Sequence, residues 1–103
     1  MLAATLPFSA AAADNPKPGN DEAHLLLQQY RCSICHDETE TKAGPAYVDI
    51  ARVYRGRSNA RNDLVRLIKR GQHGGGPWNM PPHPEISDAD AGVLATYILS
   101  VRK

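Results

Sequence analysis

The stretch Cys32-Ser33-Ile34-Cys35-His36 decides the fold, and it contains both cysteines of the 103-residue chain. Two thiols separated by two residues can add to the two vinyl groups on one edge of a protoporphyrin. The adjacent His36 imidazole is then placed over the iron, to which neutral imidazole binds well. This spacing is the attachment signature of a c-type haem. We therefore predict one covalently bound haem c, attached through Cys32 and Cys35.

Two other kinds of site use similar residues. A thioredoxin-like redox pair has the same cysteine spacing, but it belongs to an α/β fold, and this sequence has no alternating strand pattern. A structural zinc site normally needs four nitrogen or sulfur ligands, and a second cysteine pair or an H-x-H group is missing from the chain. A haem-free redox or zinc module remains only as the alternative in which haem attachment fails in the host.

The segments on either side of the motif have helical periodicity. Residues 21–31 begin with two acidic side chains, continue through three leucines and end on an arginine, as a helix of about three turns does. After the motif, Tyr47, Ile50 and Tyr54 recur at spacings of three and four, and Gly56 follows them. These patterns predict one helix before the motif and a short one after it.

Two further helices are predicted towards the C-terminus. Residues 60–70 carry an apolar face, with Ser58 or Asn59 as the N-cap and Gly71 as the stop. The final helix begins at Ser87 in a variant capping box and carries an apolar stripe that ends at Val101. We therefore predict an all-α domain of four to five helices.

The N-terminal residues differ in composition from the rest of the chain. Residues 1–13 are uncharged and apolar and close on an A-x-A pattern, as the tail of a secretory signal does. Residues 14–20 are rich in Pro, Gly and Asn, which predicts a flexible linker. The predicted domain therefore spans residues 21–103, and we expect it to be exported to the periplasm. Because this short domain has no phenylalanine, we expect the haem to fill its core.

Charge and hydropathy exclude several classes of protein. The formal net charge is only +1, which disfavours a nucleic-acid-binding protein. No apolar run approaches the roughly 18 residues of a membrane helix. Seven basic residues do lie between 52 and 70, against the single acid Asp63. They are expected to dock a partner, to pair with a haem propionate, or simply to form a solvated helix face. The seven are Arg52, Arg55, Arg57, Arg61, Arg66, Lys69 and Arg70.

Candidates for the second axial ligand of the iron are few. Met80 is the only methionine beyond the first residue, and it lies in a glycine-rich loop just before two stiff prolines. His73 and His83 flank the same loop and are competitors, since imidazole also ligates haem iron. His24, in the first helix, is expected to be a solvated histidine. We predict Met80 as the ligand, with either histidine or an open position as alternatives.

The chain resembles a class I cytochrome c, and in particular the short monohaem bacterial electron carriers. The resemblance runs from Leu25 to Lys103 and is carried by C-S-I-C-H at 32, G-P-A-Y at 44, N-M-P-P at 79 and the final helix. It implies that the N- and C-terminal helices cross above a haem cleft. His36 and Met80 would be the axial ligands.

The resemblance also implies several contacts around the haem. The Pro45 carbonyl would accept a hydrogen bond from the other ring nitrogen of His36, which orients the ring and raises its basicity. Tyr97 would pack near Leu27 at the helix crossing. Trp78 lies closer to Met80 than the family's tryptophan, so it either donates its indole N–H to a propionate or packs against the ring edge.

The expected function is one-electron transfer in the periplasm between redox protein partners that the sequence does not name. The sequence shows no nucleophile with an adjacent base and no carboxylate pair in a recognisable site, so it does not suggest an enzyme. The protein would be a monomer, or else a haem subunit of a larger periplasmic dehydrogenase or reductase. A gas-binding sensor is a further alternative, and it would require a weak or absent Met80 ligand.

Overall fold

A computed structural model describes residues 18–73 and 79–102 of the chain. Five helices make up this part, and it has no strand beyond one isolated bridge between Gln72 and Met80. The helices are α1 (Pro18–Gln29), α2 (Cys32–Cys35), α3 (Tyr47–Tyr54), α4 (Ala60–Arg70) and α5 (Asp88–Ser100). The predicted all-α class is therefore confirmed.

The C-terminal helix α5 is the centre of the fold, since α1, α3 and α4 all pack against it. Its sequence places apolar or small residues on nearly every side, and Leu94 is only 1% exposed. Full burial of such a side chain stabilises the fold by about 1.5–3 kcal/mol. The expected packing of the first helix on the last is present, with Leu27 and Tyr97 in the same buried core.

The first helix differs from its predicted limits at both ends. It begins at Pro18, so the last three residues of the 14–20 linker segment are helical. Proline suits a first helical turn because no N–H is needed there. The helix ends at Gln29 because the backbone turns at Arg31, whose φ of 65° is left-handed. This turn lets α2 start immediately with Cys32.

Local capping signals account for the two longest helices of the C-terminal half. Gly71, with φ of 78°, ends α4, a conformation that glycine adopts without strain. The Ser87 side chain accepts a hydrogen bond from the Asp90 N–H at 3.0 Å and caps α5. Asn59 occupies the N-cap position of α4, but its side chain makes no capping bond, so that part of the prediction is wrong.

The predicted secretory segment 1–13 lies outside the described residues. Among the residues that are described, none of the helices has the length and hydropathy to cross a membrane.

Candidate functional site

An apolar cavity of about 500 Å³ lies between α2, α3, α4, α5 and the segment around Met80. Its walls bring together five of the six residues that the sequence analysis predicts to contact the haem: Cys32, Cys35, His36, Pro45 and Met80. The sixth, Trp78, falls outside the described residues. Much of the remaining wall is aliphatic and comes from Leu27, Ile50, Val53, Leu64, Leu67, Ile68, Leu94 and Ile98.

The His36 ring is held by one hydrogen bond and one stacked ring. Its Nδ1 lies 2.7 Å from the Pro45 carbonyl oxygen, which can only accept, so Nδ1 carries the proton. In the neutral imidazole, Nε2 is then the unprotonated atom available to a metal. The Tyr47 ring stacks on His36, with centroids 5.5 Å apart and planes inclined by 26°.

The backbone at Gly44 lies directly against the His36 ring. The Gly44 N–H donates to the Cys35 carbonyl at 2.8 Å, which folds the chain back over the motif. A Cβ atom at this position would stand 2.6 Å from His36 Cε1, well inside van der Waals contact. Glycine is therefore required sterically here, and the G-P pair is the reason that Pro45 reaches the ring.

The Met80 segment is fixed to the end of α4 by backbone hydrogen bonds. Gln72 and Met80 exchange two N–H···O bonds of 2.9 Å, and the His83 N–H donates to the Lys69 carbonyl at 3.0 Å. The segment passes so close to Gly71 that a Cβ there would overlap the Met80 carbonyl oxygen. These contacts anchor Met80 in the cavity wall.

The competing histidines do not line the cavity. His73 is exposed, and its Nδ1 lies 2.6 Å from the Asn79 side-chain oxygen. His83 is half-buried, and its Nδ1 has no hydrogen-bond partner among the described residues. His24 is exposed, as expected, but its Nε2 lies 3.1 Å from the Tyr97 hydroxyl, a contact that the sequence did not indicate.

The cavity fits a large, flat, apolar cofactor that is bound by thiols and one imidazole. Neither cysteine forms a disulfide, so both sulfur atoms are available for thioether bonds. The volume falls in the range of about 300–1,000 Å³ typical of cofactor sites. Within the described residues, no group of three or more His, Cys, Asp or Glu is arranged to hold a metal ion, as a zinc site would need.

A second cleft, of about 300 Å³, adjoins the cavity and shares Tyr54, Leu67 and Gln72 with its wall. Three guanidinium groups and one carboxylate line it, those of Arg57, Arg66, Arg70 and Asp63. The Asp63 carboxylate lies 3.3 Å from Arg66 and 4.0 Å from Arg57. The Arg57 guanidinium also sits 4.3 Å above the Tyr54 ring, a cation–π contact that limits its motion. The cleft keeps an excess of positive charge.

The other basic residues between 52 and 70 have separate structural partners. Arg55 donates to the Leu99 and Val101 carbonyls at the end of α5. Arg61 donates to the Thr96 hydroxyl at 3.0 Å. Two more form ion pairs, Arg52 with Asp49 and Lys69 with Asp88. The basic run is therefore not one uniform surface.

Comparisons with known proteins all identify cytochromes c as similar to this chain. A family model described as cytochrome c matches residues 21–102. Cytochrome c-552 of Hydrogenobacter thermophilus is 43% identical over 79 residues, covering 75% of this chain and 79% of that protein. Cytochrome c-551 of Pseudomonas aeruginosa is 34% identical over 101 residues, covering 97% and 89%.

Solved structures agree with the sequence matches. The crystal structure of wild-type Nitrosomonas europaea cytochrome c552 superposes with a TM-score of 0.71 at 38% identity, covering 75% of this chain and 96% of that one. The class 1 cytochrome MtoD from Sideroxydans lithotrophicus ES-1 has a TM-score of 0.71 at 26% identity.

Proposed function

Since this chain belongs to the cytochrome c family, we propose that it is a periplasmic one-electron shuttle with His36 and Met80 as axial ligands. Members of this family carry electrons on one covalently bound c-type haem and are not enzymes. The observation that carries the proposal is the shared cavity wall of Cys32, Cys35, His36 and Met80. The bound haem supplies an Fe(III)/Fe(II) couple. The protein holds both axial ligands in place, so an electron is exchanged without ligand exchange.

The two axial ligands act on the reduction potential in opposite directions. The 2.7 Å bond from His36 to the Pro45 carbonyl makes the imidazole more basic, which favours Fe(III). The Met80 thioether favours Fe(II) and raises the potential. The two backbone bonds between Met80 and Gln72 hold the Met80 main chain at the cavity wall, which supports a retained thioether ligand and argues for a shuttle over a gas-binding sensor.

The arginine cleft fits the carboxylates of the haem. Cys32 and Cys35 on α2 would hold the vinyl edge of the haem, so residues away from α2 would hold its propionates. The cleft is lined by residues of α3 and α4 and the chain just after each, with none from α2. Arg57, Arg66 and Arg70 would bind the propionates there by charge-assisted hydrogen bonds.

This placement predicts a change in the pH dependence of the reduction potential. Arginine beside a carboxylate lowers its pKa, so Arg66→Gln or Arg70→Gln should move the propionate-linked inflection of the potential to higher pH. Arg52→Gln is the control, because Arg52 pairs with Asp49 outside the cleft. An inflection that moves equally in all three variants would show that the cleft does not hold the propionates.

Attachment is tested by mass and extraction. The wild-type protein, made in a host with the attachment machinery, should gain the mass of one haem that acid acetone does not remove. The Cys32→Ala, Cys35→Ala double variant should lose this covalent link. Haem that extracts cleanly from the wild type would contradict the assignment of C-S-I-C-H.

The Met80 ligand is tested by spectroscopy of the holoprotein. The ferric wild type should show the weak far-red sulfur-to-iron band, and the ferrous form should bind carbon monoxide poorly. Met80→Ala should lose the band and admit carbon monoxide, whereas Met80→His should stay six-coordinate at a lower potential. A wild type without the band that takes up carbon monoxide readily would favour the sensor.

The periplasmic location rests on the composition of residues 1–13. Mature protein isolated from the periplasm should begin near Asp14, because small residues precede it. A periplasmic protein with Met1 intact would contradict the assignment of this segment.

A further inference from the structure

The Tyr97 hydroxyl connects three parts of the chain. The Tyr97 side chain lies on α5 and is 7% exposed. Its hydroxyl donates to the Glu38 carboxylate, in the segment after α2, and lies 3.1 Å from His24 Nε2 on α1. His24 and Glu38 themselves are 3.5 Å apart, and each is about half exposed. One buried hydroxyl therefore fixes two partly solvated side chains of different elements.

This hydrogen bond is stronger than one between neutral groups, because the acceptor is a carboxylate. Burial, and then the bond to Glu38, raise the pKa of Tyr97, so the phenol remains a donor at physiological pH. The His24 ring meets the Tyr97 ring edge-on, with centroids 5.0 Å apart, which limits rotation of the tyrosine.

Two routes lead from Tyr97 to the His36 imidazole. Through side chains, Tyr97 packs edge-on against Tyr47 at 6.4 Å, and Tyr47 stacks on His36. Through the backbone, the Asp37 carbonyl accepts from the Tyr47 N–H at 2.9 Å, and the Glu38 carbonyl accepts from the Val48 N–H at 3.0 Å. The segment that Tyr97 holds through Glu38 is thus the one that holds the first turn of α3.

We propose that Tyr97 is a positioning residue for the proximal iron ligand, its hydroxyl acting through Glu38 and Tyr47 to keep the His36 ring aligned with the Pro45 carbonyl. The inference rests on the proposed role of His36 as an iron ligand. Loss of the hydroxyl loosens the His36–Pro45 hydrogen bond and makes the imidazole less basic. The reduction potential should then shift to more positive values.

The test compares Tyr97→Phe with Tyr30→Phe in the holoprotein. Tyr30, just after α1, is a matched control, because its hydroxyl also donates to a carboxylate, that of Asp90 on α5 at 2.9 Å. Within the described residues, no side-chain hydrogen bond or ring contact joins Tyr30 to Glu38, Tyr47 or His36. Both variants lose one such bond and should lose comparable stability to denaturant. Only Tyr97→Phe should shift the potential in voltammetry and move the His36 ring resonances in NMR spectra.

Glu38 variants provide the second arm, and Glu38 is exposed enough that neither change disturbs the core. Glu38→Ala should shift the potential in the same direction as Tyr97→Phe, whereas Glu38→Gln keeps a side-chain oxygen that can accept from the phenol and should restore most of the wild-type value. The Tyr97→Phe, Glu38→Ala double variant should shift no further than either single variant.

The outcomes separate this inference from the proposed function. Covalent haem and the far-red methionine band in the wild type and in every variant show that the haem attachment and the Met80 ligation of the proposed function hold. With those present, equal potential shifts in Tyr97→Phe and Tyr30→Phe, or no shift in either, overturn the positioning role. A wild type without covalent haem overturns both.

Discussion

Gly44 shows at the scale of one residue why the proximal side tolerates little change. Gly44→Ala should destabilise the holoprotein by about 1–3 kcal/mol, because the new methyl group would lie 2.6 Å from His36 Cε1. Gly56→Ala is the control, since a Cβ there meets nothing within 4 Å. It should be neutral or stabilising by up to about 1 kcal/mol. Denaturant unfolding measures both, and equal costs would contradict the steric explanation.

Individual residues also show what could be predicted from the sequence. The positions of Cys32, Cys35 and His36 follow from a local motif, and the Pro45 contact follows from the family resemblance. The link between His24, Glu38 and Tyr97 could not be predicted in that way. It joins residues up to 73 positions apart, and a histidine on an exposed helix face has no local pattern that identifies a distant partner.

The elements themselves were predicted best where a local cap defines an end. The limits of α4 match the predicted 60–70, and Ser87 caps α5 as expected. The limits of α1 were less accurate, because its C-terminal end depends on the left-handed turn at Arg31, which non-glycine residues seldom adopt. The segment 79–83 has no helical periodicity, and it is held by backbone bonds to Gln72 and to Lys69 of α4 that no side-chain pattern indicates.

The N-cap of α5 gives a prediction at the scale of an element. Ser87→Ala should destabilise the protein by about 1 kcal/mol, because the Asp90 N–H loses its 3.0 Å acceptor. Asn59→Ala, at the corresponding position of α4, should cost less, because the Asn59 side chain makes no capping bond. Thermal unfolding of the two holoproteins measures the difference, and the opposite order would be inconsistent with the capping geometry.

The ion pair between α4 and α5 gives a dependence on pH. The hydrogen bond and the charge of Lys69 hold the pKa of Asp88 below its usual 3.8. A lowered pKa contributes stability that is present at neutral pH and is lost as pH falls through the lowered value. The Asp88→Asn variant should therefore lose less unfolding free energy than the wild type when the pH falls below about 4. The difference should be small, because the ion pair is exposed. Denaturant titrations at pH 3 and 7 would detect it, and an unchanged pH dependence would argue against the pair.

At the scale of the whole molecule, the haem cavity is large for the domain around it. The cavity of about 500 Å³ is walled by the same aliphatic side chains that form much of the core, including Leu64, Ile68 and Leu94. Without the ring, these apolar side chains would face water, which costs about 25 cal/mol for each Å² of apolar surface left exposed. The entire stability of a small domain is only about 5–15 kcal/mol, so the domain tolerates little such exposure.

Folding should therefore be coupled to haem binding. The longest helices here have 12 and 13 residues, too short to be stable alone in water. The Cys32→Ala, Cys35→Ala variant, produced without haem, should lose most of its helical circular dichroism and its cooperative thermal transition. Met80→Ala, which keeps the covalent haem, is the control and should retain both, because the ring still fills the cavity. A haem-free protein with native helicity and a cooperative transition would mean that the core closes without its cofactor.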